Sequence, residues 1–144
     1  MFDEATVLER LRKGLLVVVA LGFAGTGVDL LLLAHYEDTL QVAPFVIVSL
    51  CLLAVGWHAI SRGRASLLLM RVVMAGAIAG AAAGVTLHYR GSMEFQLEMD
   101  PSLGGFDLMS RVMTSKAPPT MAPLNLAVLG LVGIASTYRE GPQS

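Results

Sequence analysis

The fold class that the sequence predicts is all-α, a transmembrane four-helix bundle, and three observations predict it. The 144 residues are 55% hydrophobic and only 15% charged, with a mean hydropathy of +0.68. A domain this small buries a low fraction of its surface, so in water much of that apolar side chain would stay exposed. Residues 39–61 and 117–138 contain no Asp, Glu, Lys or Arg. At about 1.5 Å per residue each is long enough to cross a hydrocarbon core about 30 Å thick. Residues 14–34 and 65–88 carry one charge apiece, Asp29 and Arg71. In lipid every backbone N–H and C=O must find a partner, and with no barrel-like alternation in these runs only helices satisfy them. The expected spans are 14–34, 39–61, 66–88 and 120–138, in one membrane domain with an outer segment at 89–119.

The same composition argues against a soluble enzyme. Disorder is excluded by the shortage of charge, and a disulfide scaffold by the single Cys51. A net charge of −1 offers no electrostatic footprint, so no nucleic-acid partner is expected.

Before the first span, Phe2, Ala5, Leu8 and Leu11 share one helical face, and Glu9 stands four residues before Lys13. This predicts a short amphipathic N-terminal helix lying on the inner leaflet. The first span contains small residues near Ala24 and Gly25, yet it is expected to be a retained anchor, not a cleaved signal. The second opens on Val42-Ala43-Pro44-Phe45 and the fourth on Met121-Ala122-Pro123-Leu124. In both, proline falls near the first turn, where its missing N–H costs little. On the third, Gly76, Gly80 and Gly84 recur every four residues among alanines, a pattern that lets another helix approach closely. Arg71 sits low enough on that span to snorkel to the headgroups.

Arg10, Arg12, Lys13, Arg62, Arg64, Arg71 and Arg139 fall on one side of the spans, against Arg90, Arg111 and Lys116 on the other. The positive-inside rule then places both termini in the cytoplasm. The first span ends on His35-Tyr36 and the third on His88-Tyr89, which suggests two tandem helical hairpins. The second hairpin differs by its long outer connection. There Met93, Phe95, Leu97 and Met99 alternate with polar residues, predicting a strand, and Phe106, Met109, Val112 and Met113 follow at helical spacing.

Candidate chemistry lies near the outer face. Asp29, Thr86 and Asn125 fall at similar depth and form an expected buried polar cluster; interhelical hydrogen bonding and a proton or ion site both fit it. His35 and His88, with Glu37 or Asp38 beside them, offer ligands for a divalent metal or a haem iron. An interfacial belt would also contain His and Tyr at helix ends, and Tyr36, Tyr89, Trp57 and Tyr138 all fall near boundaries. His58 reads as an interfacial neighbour of Trp57. Met93, Met99, Met109, Met113 and Met121 suit an apolar contact surface better than a Cu(I) site. No nucleophile with its base, phosphate loop or paired acid motif is present.

Three stretches carry a family resemblance: His35-Tyr36-Glu37-Asp38 with Gln41 and Pro44, Glu94-Phe95-Gln96-Leu97-Glu98-Met99 with Pro101-Ser102-Leu103-Gly104, and Ala122-Pro123. On these the chain resembles a group of small bacterial four-span membrane proteins with no assigned activity. The resemblance implies a bacterial inner-membrane setting and a folded outer segment. The function expected from the residues is a non-catalytic subunit or scaffold, with the lipid bilayer and other membrane chains or a homo-oligomer as partners. The alternative is a metal-, ion- or haem-binding protein using His35, His88 and Asp29. Substrate transport fits less well, because one buried acid offers little pathway.

Overall fold

The computed structural model describes residues 3–116 and 119–140. Phe2 of the amphipathic start and Ala117 of the fourth charge-free run lie outside the described residues. The chain runs through α1 (Glu4–Leu32), a 3-10 turn (Thr39–Val42), α2 (Ala43–Ser61), α3 (Arg64–Met99), α4 (Gly105–Met113) and α5 (Met121–Ser136), with no strand among the described residues. Three helical stretches are long and apolar enough to cross a membrane: α1, the 3-10 turn with α2, and α3. α5, at 16 residues, is shorter, about 24 Å at 1.5 Å per residue.

α1 packs on α2 and α5, and α3 packs on the same two, so the four helices close a ring with α1 and α3 at opposite corners; α4 rests on α3. The buried stripe of each follows three- and four-residue steps: Leu16, Val19 and Phe23 on α1, Val48, Cys51 and Val55 on α2, Met70, Met74, Ala77 and Ala81 on α3. Those steps keep one face of a helix inward. The opposite faces are as apolar as the core. Ile60 is 88% exposed and Leu53 70%, an arrangement that fits a hydrocarbon surround and not water.

Helix ends follow local chemistry. Before α2, the Asp38 side chain accepts from the Gln41 backbone, while Gln41 Oε1 accepts from the Glu37 and Asp38 N–H groups at 3.0 and 3.4 Å. This reciprocal cap sets the start of the 3-10 turn that leads into α2, and Pro44 sits in the first turn of α2. α2 stops at Arg62, which turns left-handed at φ 45°. α3 stops at Asp100, extended at φ −146°, because the following Pro101 disfavours helical geometry in the residue before it.

Several expectations are corrected. The amphipathic start is no separate helix: Glu4 to Leu32 is continuous, since Gly14 alone costs only about 1 kcal/mol and no proline intervenes. The predicted strand is the last two turns of α3. Ser92 to Met99 contains no β-branched residue and is rich in Met, Glu, Gln and Leu, all strong helix formers. Helix also satisfies its own backbone, whereas a lone strand leaves both edges open. As a result α3 does not finish at His88-Tyr89 but continues to Met99, and the two hairpins are not equivalent at that end.

The glycine ladder splits between three surroundings. A Cβ on Gly80 would fall 2.6 Å from Ile47 Cδ1 of α2, and one on Gly84 3.2 Å from Pro123 of α5; Gly76 has open space. The glycines of α5 are packed as closely: a Cβ on Gly130 would lie 2.8 Å from the Met74 carbonyl oxygen and one on Gly133 2.5 Å from Met74 Sδ. Small residues on α5 therefore set the α3–α5 spacing as much as those on α3 do.

Candidate functional site

Polar side chains gather at the two ends of the ring. At the end away from the termini, Ala34 adopts φ 50° and turns the chain back after α1, carrying His35 toward α3. The imidazoles of His35 and His88 lie with centroids 6.0 Å apart and planes inclined at 28°. Diagonal helices thus meet through these two rings. Tyr36 follows and tilts against Phe45, 6.4 Å between centroids. Glu37 is exposed. Among the described residues no group of three or more His, Cys, Asp or Glu is placed to hold a metal ion. Beside His88, an open depression of about 440 Å³ is lined by Leu87, Gly91, Ser92, Phe95, Gln96 and Ser115.

The expected trio of Asp29, Thr86 and Asn125 does not assemble by hydrogen bonding. Asn125 Nδ2 donates to Thr26 Oγ1 at 2.8 Å, and Thr26 donates on to the Gly22 carbonyl at 2.9 Å. Thr86 donates to the Ala82 carbonyl of its own helix at 3.0 Å. Asp29 is exposed and its carboxylate has no partner among the described residues. The α1–α5 seam is therefore joined by Thr26, a lone hydroxyl in an apolar span that carries no signal in the sequence.

The other end holds the more ordered constellation. His58, in the last turn of α2, is 1% exposed. Its Nδ1 lies 3.2 Å from Ser66 Oγ and its Nε2 3.1 Å from Glu140 Oε2. Ser66, also 1% exposed, spends its hydroxyl proton on the Gly63 carbonyl at 2.9 Å. With that proton committed, Nδ1 must donate to Ser66, because a hydroxyl has only one proton to give. The Nε2–Oε2 contact then needs a further proton, carried either by the imidazole as imidazolium or by the carboxyl. Serine, histidine and glutamate lie together, but the serine is shut from solvent and its proton points away from the histidine. The geometry ties α2, α3 and the segment after α5; it does not activate a nucleophile.

Two arginines complete the fastening. Arg71 donates through Nε to Thr137 Oγ1 at 3.1 Å and through Nη2 to the Thr137 carbonyl at 2.9 Å. Arg12 donates through Nε to the Tyr138 carbonyl at 2.8 Å, and through Nη2 to the same oxygen. The last carbonyls of a helix carry partial negative charge and lack intrahelical donors, so guanidinium groups from α1 and α3 cap α5. Arg71, expected to snorkel to the headgroups, is held by this cap. Across the neighbouring turn Glu9 pairs with Lys13 at 2.8 Å and approaches Arg62 at 3.9 Å.

Little in the sequence marks this cluster. Its one signal is that His58 is the single ionisable side chain besides Cys51 between Thr39 and Ser61. Its acid partner stands 82 residues away, beyond the reach of any local motif. No protein-family model, curated protein or solved structure matches the chain.

Proposed function

We propose that the chain is a bacterial inner-membrane protein that crosses the bilayer four times, both termini cytoplasmic, and serves as a non-catalytic subunit or scaffold packed against other membrane chains or a second copy of itself. Asp29 carries this reading. It stands one turn inside the end of α1, on the exposed side, unpartnered among the described residues. An intramembrane carboxylate facing hydrocarbon is costly, and such groups almost always face protein or water. A neighbouring chain that covers Asp29 supplies what this ring does not. Ala24, Gly25 and Gly76 are likewise exposed, and small residues are what close helix contacts in lipid require. α4 turns Phe106, Met109 and Met113 outward while burying Val112, which suits a helix resting on the outer membrane surface.

The test is the particle mass in mild detergent by light scattering. The expected result is an assembly larger than the 15.2 kDa chain, dissociated by Asp29→Leu without loss of the monomer's thermal stability. A monodisperse monomer from native membranes overturns the proposal.

The convergence of His35 and His88 favours a second reading, a metal, ion or haem site completed by Glu37 or Asp29. Metal content and the absorption spectrum of purified protein decide it. Absence of stoichiometric metal and of a Soret band, with no thermal shift on adding divalent ions, dismisses it.

A further inference from the structure

At the start of α3, Arg64, Leu67, Leu68 and Arg71 occupy one helical face, at steps of three, four and seven residues, and with Glu140 they line an open depression of about 440 Å³. We propose that this depression binds the phosphate headgroup of an anionic phospholipid from the leaflet on the side of the chain termini. The proposal rests on the membrane-spanning fold and is independent of whether the chain has protein partners.

Charge gives the first argument. The Arg64 side chain makes no hydrogen bond or ion pair among the described residues. Glu140, the one acid in the lining, is already engaged by His58. The two guanidinium groups therefore leave the depression with excess positive charge, which suits a phosphodiester. Arg71 is held by Thr137, so part of the ordering cost of binding is met before the ligand arrives.

Shape gives the second. Arg64 opens α3 and Arg71 lies about 10 Å further along the axis, with the leucines between them. Leu68 is 64% exposed, and Val72, at 59%, continues the same face deeper into the helix. A phosphate held at Arg64 would place its glycerol ester beside Leu68 and an acyl chain along Val72. A free anion has no use for that apolar run. The depression is also of the size that small-molecule sites occupy, and basic pockets at this membrane depth suit lipid headgroups.

Purified full-length chain in a neutral detergent is titrated with phosphatidylglycerol, with diacylglycerol and with inorganic phosphate, and thermal unfolding is followed beside native mass spectrometry. Phosphatidylglycerol is expected to raise the unfolding temperature by about 5 °C and to appear as one retained lipid per chain. Diacylglycerol, which lacks the phosphate, and phosphate, which lacks the chains, are expected to do neither. Arg64→Gln, on an exposed side chain that fastens nothing, is expected to unfold at the wild-type temperature without lipid and to lose the retained lipid and most of the rise. Equal rises with diacylglycerol or phosphate, no retained lipid, or an undiminished rise in Arg64→Gln each overturn the proposal.

Discussion

The two ends of the ring use polar residues in opposite ways. At the end that carries the termini, His58, Ser66, Arg71, Thr137 and Glu140 join α2, α3 and the chain after α5, and nearly every group has a protein partner. At the other end, His35 and His88 touch only through their rings, Glu37 and Asp29 face outward, and the connecting segments are held by local caps. A buried polar group left unpaired is expensive, so a closed network there commits the structure to one arrangement. Groups left outward commit it to nothing and remain available. The first end therefore fastens the ring through protein partners, while the second leaves its polar groups exposed or locally capped.

Substitutions sharpen this contrast. His58→Ala leaves Ser66 and Glu140 without their shared partner and is expected to cost about 3 kcal/mol, as breaking a buried pair does. Reversible unfolding in mixed micelles measures it. If the pair acts as one unit, adding Glu140→Gln should cost little more, and simple additivity would show that the two residues act separately. Arg71→Gln removes a charged cap from α5 and is expected to cost about 2 kcal/mol, with faster amide exchange confined to the end of that helix. Asn125→Leu, at the α1–α5 seam, should cost only about 0.6 kcal/mol, the usual size for a hydrogen bond between helices in lipid. A loss as large as that of His58→Ala would mean that the two ends do not differ.

The smallest effect belongs to the turn after α3. Ser102 donates from its hydroxyl and backbone N–H to Asp100 Oδ1, at 2.6 and 3.2 Å. These bonds, the hydroxyl's first, hold the Asp100 carboxyl below its ordinary value. A lowered carboxyl favours the folded turn above the ordinary carboxylate range, and that contribution fades as pH falls through the lowered value. Ser102→Ala should move the Asp100 titration upward in NMR with hardly any change in unfolding. An unmoved titration would show that the turn does not hold the carboxylate.

What could be read in the sequence follows from what is local. Charge-free runs and Pro44 in a first turn mark helices through backbone chemistry that needs no tertiary partner. The two-residue alternation of 92–99 misled because side-chain period competes with intrinsic propensity, and here propensity together with an unbroken upstream helix decided. His35 lies beside His88, a juxtaposition that two His-Tyr pairs far apart in the chain leave open until the helices are packed. Asp29 was expected inside the bundle; its orientation depends on which face of α1 meets α2 and α5, and one helix in isolation is apolar nearly all round. The link of His58 to Glu140 depends on the closure of the whole ring, so no spacing along the chain announces it.

α3 is the longest of the described helices and far outruns a hydrocarbon core. Its 36 residues extend for about 54 Å, against a hydrocarbon core of about 30 Å, and no proline interrupts them. Such an uninterrupted lever has no proline hinge at which motion can be absorbed. About 24 Å of α3 must therefore stand outside the hydrocarbon, in one continuous helix with the part inside it.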